Sequence, residues 1–372
     1  MRKKRILILF PEGNLLYSPS TLNLYEVLAK EFDVTVFTFQ NVGDKLKGKK
    51  VFSCKAHYGL KSKIYYKLHT LKMMIFKSAN TMPLDFYKFI NYKYLVNYLK
   101  QNTFDEIIAI DLFAFVAAQK HNSNIIFFSL ELGDISLLKW MQQDKIKAVI
   151  IQSVERYNYL FANKNYKIFY IQNAPVYKEL NNIVKTNDLI FSGTALKGFG
   201  IYSCIHFLKK YTNYTLTIKG AIQHGHERDL KENLILFFPD LLETKRLIIS
   251  TDYLEDNEVT DYLKQFRIGF CFYDLRFDYI NTFNYIHAPS GKLFKYYAAG
   301  VPVIATNIPG LRSVSDFKTG VLIDSPDPDS IYNAILEIES NYQEYSENCL
   351  KAAKHFSFDN AAQPLINFLV EN

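Results

Sequence analysis

HAPSGKLFKYYAAGVPVIAT, running from His287 to Thr306, is the stretch whose reading decides the fold. It reads as a loop, a short helix, a glycine stop and a buried strand. Pro289 ends the loop, and Ser290 suits an N-cap because its hydroxyl can accept a first-turn N–H. Gly291 leaves that turn sterically open. Gly300 fits a left-handed C′ position, and Val301 to Ala305 is an apolar, β-branched run of buried-strand type. Lys292 and Lys295 stand three apart at the start of the helix, where cations oppose the macrodipole unless an anion sits there. Free N–H groups with two lysines make a phosphate seat; two solvated lysines on an amphipathic helix read equally well from this segment alone.

Outward from this stretch, strand and helix patterns alternate along the whole chain. Strands are expected at Arg5–Phe10, Val34–Phe39, Lys50–Cys54, Glu106–Asp111, Ile125–Leu130, Ala148–Gln152 and Ile168–Ile171, with helices between them. A second series follows at Leu189–Phe191, Tyr214–Ile218, Leu247–Ser250, Ile268–Tyr273, Val301–Ala305 and Val321–Ile323, and a helix Asp359–Val370 ends it. Short apolar strands alternating with helices indicate parallel, helix-covered sheets. The expected domains are 1–177 and 189–354, joined by a linker at 178–188, with residues 355–372 packing back on the first domain. At 372 residues there is chain enough for two cores.

Composition removes several classes. Hydrophobic residues at 49% with 22% charged exclude a disordered or fibrous chain. Cys54, Cys204, Cys271 and Cys349 lie far apart with no Cys-x-x-Cys pair, which fits a reducing compartment rather than a disulfide or zinc framework. The apolar run after MRKKR is only Ile6 to Phe10, so a first strand is expected there rather than a signal peptide. Nowhere do enough uncharged apolar residues follow one another for a transmembrane helix.

The net charge of +7 is unevenly placed: Lys45 to Lys77 holds ten lysines and no Asp or Glu. Its second half, KSKIYYKLHTLKMMIFK, interleaves apolar residues and suits an anionic membrane surface. Nucleic acid is not expected, because no nucleic-acid module surrounds it.

With these residues in view, the block IGFCFYDLRFDYINTFNYIHAPSGKLFKYYAAGVPVIATNIPG resembles the donor-site region of GT-B nucleotide-sugar glycosyltransferases of the group 1, family 4-like type. FSGTALKG resembles the first strand-turn of their donor domain, KIFYIQNAP the strand closing the acceptor domain, and GVLIDSPDPDSIYNAILEI the strand and helix after the donor helix. The resemblance implies two doubly wound Rossmann-like α/β domains facing across a cleft, with a C-terminal helix returning towards the first. It implies transfer of a sugar from a nucleotide diphosphate to a hydroxyl of a glycan or lipid-linked glycan, without a metal or other cofactor and with retention. Taken with the basic stretch, it places the chain in the cytoplasm, peripheral on the inner face of the membrane.

Carried onto this sequence, the resemblance assigns Ser290, Gly291 and Lys292 to the donor diphosphate, with Lys197, Gly193 and Thr194 on the facing loop. The family's pair of glutamates corresponds to His287 and Lys295. Lysine only donates, so the ribose is held differently, Lys295 reads a phosphate, or donor binding is lost. Thr194 stands where an arginine often follows the glycine. On the acceptor side, Asp111, Glu131 and Asp134 lie at strand ends as candidate catalytic carboxylates, or as simple caps. Glu12, Asn14 and Ser18 follow the first strand as candidate acceptor contacts. A catalytically silent GT-B partner subunit and a sugar-nucleotide epimerase are the competing readings. Asp327-Pro-Asp329 reads as a helix cap rather than a metal motif, and His224-x-His226 lacks a third ligand nearby.

Overall fold

The computed structural model describes residues 2–76, 82, 84–133, 135–162, 164–180, 184–220, 230–252, 254–280 and 282–371. The chain divides into two compact units, Met1–Ile171 with Ala362–Asn372, and Gln172–Ala361. Among the described residues each unit is built on one fully parallel sheet.

The first sheet holds β1 (Arg5–Leu9), β2 (Asp33–Thr38), β3 (Val51–Ser53), β4 (Glu106–Ile110), β5 (Ile125–Phe128), β6 (Ile146–Ile151) and β7 (Ile168–Tyr170), in the order β3-β2-β1-β4-β5-β6-β7. Register is set by continuous apolar runs: Ile8 pairs with Val36 on one side and Ile108 on the other. The inner strands β1, β4, β5 and β6 are buried on both faces, as crossover helices require. The strand order reverses between β1 and β4, so the loops after these two strands diverge and leave a crevice at their carboxyl ends. The Phe358–Glu371 helix adds its second half to this unit, with Phe368 against Phe169 and Lys4 Nζ 2.6 Å from the Leu369 carbonyl.

The second sheet holds β8 (Asn187–Ser192), β9 (Leu216–Lys219), β10 (Leu247–Ser250), β11 (Phe266–Cys271), β12 (Val303–Thr306) and β13 (Gly320–Ile323), in the order β10-β9-β8-β11-β12-β13. Its order reverses between β8 and β11. β8 begins at Asn187, inside the stretch read as a linker, and β12 begins two residues later than expected, after Pro302, whose nitrogen has no proton for a ladder bond.

The helix of the deciding stretch runs Gly291–Ala298. Gly300 takes φ +60°, the Gly300 amide reaches Tyr297 O and the Val301 amide reaches Tyr296 O, which closes the helix as a Schellman motif. Lys185 Nζ donates to Gly300 O at 3.1 Å, and Ser346 Oγ to the same oxygen at 2.8 Å. Tyr296 anchors the helix to the sheet. Its hydroxyl accepts from the Ser192 amide at 2.8 Å and lies 3.3 Å from both Ile190 O and Phe270 O. Gly269 makes room for the ring, since a Cβ there would stand 2.9 Å from ring atoms.

One helix that apolar spacing did not suggest, Tyr342–Phe356, packs on this helix. Its inward residues Ser346, Cys349 and Ala352 are small, so close backbone approach replaces the usual run of large apolar side chains. Short helices at Leu230–Phe237, Pro239–Glu243 and Phe283–His287 were likewise unmarked.

Tyr296→Phe removes the hydroxyl that joins β8 and β11 while keeping the ring. It should destabilise the protein by about 1–3 kcal/mol in urea unfolding, the range for stranding buried hydrogen-bonding groups; an unchanged midpoint would show the hydroxyl contributes nothing.

Candidate functional site

In the second unit the candidate residues gather where the strand order reverses. The loop after β8 begins with Gly193, at φ +108°, and continues into a turn at Lys197–Phe199. Gly220 allows the loops after β8 and β9 to touch, because a Cβ there would lie 2.2 Å from Gly193 O. Gly198 packs equally closely on Tyr279 and Ile280, and its amide donates to the Tyr279 hydroxyl at 3.0 Å.

Lys292 enters this corner from the helix. Its Cε lies 3.8 Å from where a Gly193 Cβ would be, and its Nζ sits 4.4 Å from the Phe191 ring centre and 4.6 Å from that of Phe199. Although the residue as a whole is half-buried, Nζ is closed off from solvent and makes no hydrogen bond. Burial lowers its pKa. Two phenyl faces attract a cation by about 0.5–2 kcal/mol each, well short of the desolvation penalty of several kcal/mol for an unpaired ammonium.

Ser290 occupies the N-cap position with extended backbone, but its hydroxyl caps no first-turn amide, contrary to expectation; it lies against the Cys271 thiol. The Leu293 amide reaches Ser290 O at 3.0 Å, which leaves the first-turn amides of Gly291 and Lys292 to another acceptor. Gly291 is required by contact: a Cβ there would come within 2.9 Å of Asn173 Nδ2. Thr194 and Lys197 are half-buried on the facing loop, and Lys295 is half-buried one turn along the helix. His287 ends its own short helix with its ring 4.4 Å from that of Phe283, and its Nδ1 is buried without a hydrogen bond.

In the first unit Asp111 stands at the carboxyl end of β4, beside the reversal point. It has φ +64°, a conformation costly for a residue with a side chain, at the junction of β4 and the Asp111–Ala118 helix. Its Oδ1 accepts from the Leu130 amide at 2.8 Å and the Glu131 amide at 2.9 Å. Burial pushes its pKa up to about 7; those two amides and Arg156 pull it down, and Glu131 pushes it up. Glu131 is exposed on the same loop, while Asp134 lies outside the described residues.

The candidates after β1 are engaged locally. Asn14 accepts from the Leu16 amide and from Gln40 Nε2, Ser18 is buried with its Oγ 2.8 Å from Thr21 Oγ1, and Glu12 lies 3.8 Å from Lys88 Nζ. Sequence reasoning missed Arg156, which is only 2% exposed and donates to Leu130 O at 2.8 Å. Its one signal was a cation in the first turn of a helix capped by Ser153, the same anomaly that marked Lys292.

The family model of Glycosyl transferases group 1 matches residues 293–356. Whole-chain similarity is structural. Sucrose-phosphate synthase from Thermosynechococcus elongatus superposes with a TM-score of 0.68 at 15% identity, over 99% of this chain and 98% of that one. HepE from Anabaena, in complex with UDP-glucose, gives 0.65 at 13% over 99% and 100%. WaaG, a glycosyltransferase involved in lipopolysaccharide biosynthesis, gives 0.65 at 11% over 99% and 100%. No curated protein sequence matches. The chain has the GT-B fold, and its residues 293–356 are similar to the group 1 glycosyl transferases.

The Asp-Pro-Asp sequence is occupied structurally. Asp327 caps the Pro328–Ser340 helix through the amides of Asp329 and Ser330, and Asp329 pairs with Lys210 and the Tyr211 hydroxyl. His224 and His226 lie outside the described residues.

Asp111 provides a pH test. Its carboxyl ionises at about 7 when folded and about 3.9 when unfolded, so the stabilisation held by the neutral form is full below about pH 4 and lost as pH rises through 7. Asp111→Asn, which cannot ionise, should gain up to about 4 kcal/mol relative to wild type between about pH 4 and pH 8. A pH-independent difference in urea unfolding would refute the raised pKa.

Proposed function

We propose that this chain is a glycosyltransferase that moves a sugar from a nucleoside-diphosphate sugar to a hydroxyl of a glycan or lipid-linked glycan, in surface polysaccharide or glycoconjugate assembly. The observation that carries the donor half is Lys292, an enclosed ammonium without an oxygen partner, beside uncapped amides and the Gly193 turn. A diphosphate supplies the missing acceptor for both. Negative charge developing on the leaving diphosphate is then met by donors already in place, with no metal called for. Lys197 adds a second cation from the facing loop. HepE, whose structure holds UDP-glucose, supports a nucleotide sugar as the donor type.

In the acceptor half, the acceptor oxygen replaces the diphosphate oxygen at the anomeric carbon, and its proton passes to Asp111 or Glu131. A carboxyl titrating near 7 is suited to that exchange at neutral pH. Retention of configuration follows the family resemblance.

The setting is an anionic membrane surface. Leu60, Ile64, Leu68, Leu71 and Met74 form an exposed stripe on the Leu60–Phe76 helix, with exposed Lys61, Lys63, Lys67 and Lys72 in and beside it. The opposite face is already packed, with Tyr66 and His69 on Phe89. Among the described residues no helix is long and apolar enough to cross a membrane, so this helix would lie in the interface. The side chain of Lys45, and Lys77 itself, lie outside the described residues.

Nucleoside diphosphates and their sugars should raise the unfolding midpoint in a thermal-shift screen, since ligand at a hundred times its Kd adds about 2.7 kcal/mol. Lys292→Met keeps the stem between the rings without the charge. It should leave the fold at least as stable and weaken diphosphate binding at least about tenfold, about 1.4 kcal/mol. No shift with any nucleotide would return the chain to the catalytically silent reading. Charge reversal at Lys61, Lys63, Lys67 and Lys72 should abolish co-sedimentation with vesicles containing phosphatidylserine; persistent binding would reject the membrane assignment.

A further inference from the structure

The loop after β5 is gripped from two sides by groups that are themselves buried. From one side, Asp111 Oδ1 accepts the amides of Leu130 and Glu131. From the other, Arg156 Nη1 lies 2.8 Å from Leu130 O, 3.3 Å from Ser129 O and 3.1 Å from Gln152 Oε1. The peptide groups on either side of Leu130 thus run between a carboxyl and a guanidinium, and their dipoles align with both. Glu131, next in the chain, is the exposed carboxylate of the group. Arg156 arrives from the first turn of the Val154–Phe161 helix, where it opposes the macrodipole, and burial lowers its pKa. Packing alone would be served better by an apolar side chain of similar volume, because a buried guanidinium loses its hydration.

We propose that Arg156 is a positioning residue for the acceptor-side chemistry, fixing residues 129–131 so that Glu131 and Asp111 keep set directions. This rests on reading the carboxyl end of β4 as the acceptor side. Arg156 acts in two ways. It holds the loop carbonyls in the orientation that turns the Leu130 and Glu131 amides onto Asp111. Its charge also offsets that of Glu131, so that Asp111 ionises beside a neighbouring carboxylate. Glu131 and Arg156 are the charged groups that face Asp111 among the described residues. Both roles run through Nη1, which is directed to protein oxygens rather than to a substrate.

The test compares Arg156→Gln, which keeps an amide donor without the charge, with Arg156→Lys, which keeps the charge. The Asp111 carboxyl is followed by carbon-13 NMR titration, its signal assigned by its loss in Asp111→Asn, and the Leu130 and Glu131 amides by hydrogen exchange. In R156Q the Asp111 pKa should rise above that of wild type, and the two amides should exchange at least tenfold faster. R156K should bring the titration back towards wild type. An unchanged Asp111 titration in R156Q, even with a lower unfolding midpoint, would make Arg156 a packing residue and overturn the proposal. Should R156Q not fold, Arg156→Met, which keeps the apolar stem without the charge, takes its place: a raised Asp111 pKa upholds the proposal and an unchanged one overturns it. No nucleotide enters these measurements, so failed nucleotide binding would count against the proposed function and leave this result readable.

Discussion

An ammonium ion held between two phenyl rings at the wrong end of a helix is the constraint around which the second unit is arranged. Lys292 has no oxygen partner, its Nζ is closed off from solvent, and the first-turn amides beside it are uncapped. Three unfavourable terms coincide: desolvation, the helix dipole and unpaired N–H groups. The neighbouring structure keeps them together rather than relieving them. Tyr296 fastens the same helix to β8 and β11, and glycines at 193, 198 and 220 let the loops close around the lysine. An anion with several oxygens answers all three terms at once. That is the physical case for a diphosphate at this point.

The first unit repeats the device with different residues. There Arg156 occupies the first turn of a helix, buried, and faces loop carbonyls across from Asp111, whose carboxyl is also enclosed and whose backbone is strained. In both units these groups sit beside the place where the order of parallel strands reverses, β1 with β4 and β8 with β11. Parallel pairing explains the location. It brings all strand carboxyl ends to one edge, where only loops and helix starts remain to supply polar groups.

Much of this architecture was legible in the sequence. Unbroken apolar runs such as Ile107–Ile110 and Ile125–Phe128, alternating with helical patterns, marked buried parallel strands, and Gly300 makes the left-handed stop its position suggested. Boundaries shifted where backbone chemistry intervened, as at Pro302. The Tyr342–Phe356 helix escaped notice because its inward face is Ser, Cys and Ala, chosen for closeness rather than hydrophobicity. For the sites, the sequence marks which residues are anomalous but not where they point. Lys292 was expected to offer its charge outward and instead stows it between Phe191, in β8, and Phe199, in the turn that follows, eight residues apart along a path no periodicity reveals. For Arg156 the one signal was its place in a first helical turn, and its burial is a product of tertiary packing. Ser290 looked like a cap, and its hydroxyl went to Cys271, a neighbour supplied by β11.

The most direct measurement is a crystal structure with a nucleoside diphosphate bound. The account predicts phosphate oxygens within about 3 Å of the first-turn amides at Gly291 and Lys292, with Lys292 Nζ drawn from between its two rings onto the same oxygens. A diphosphate bound elsewhere, with Lys292 still enclosed by Phe191 and Phe199, would contradict it.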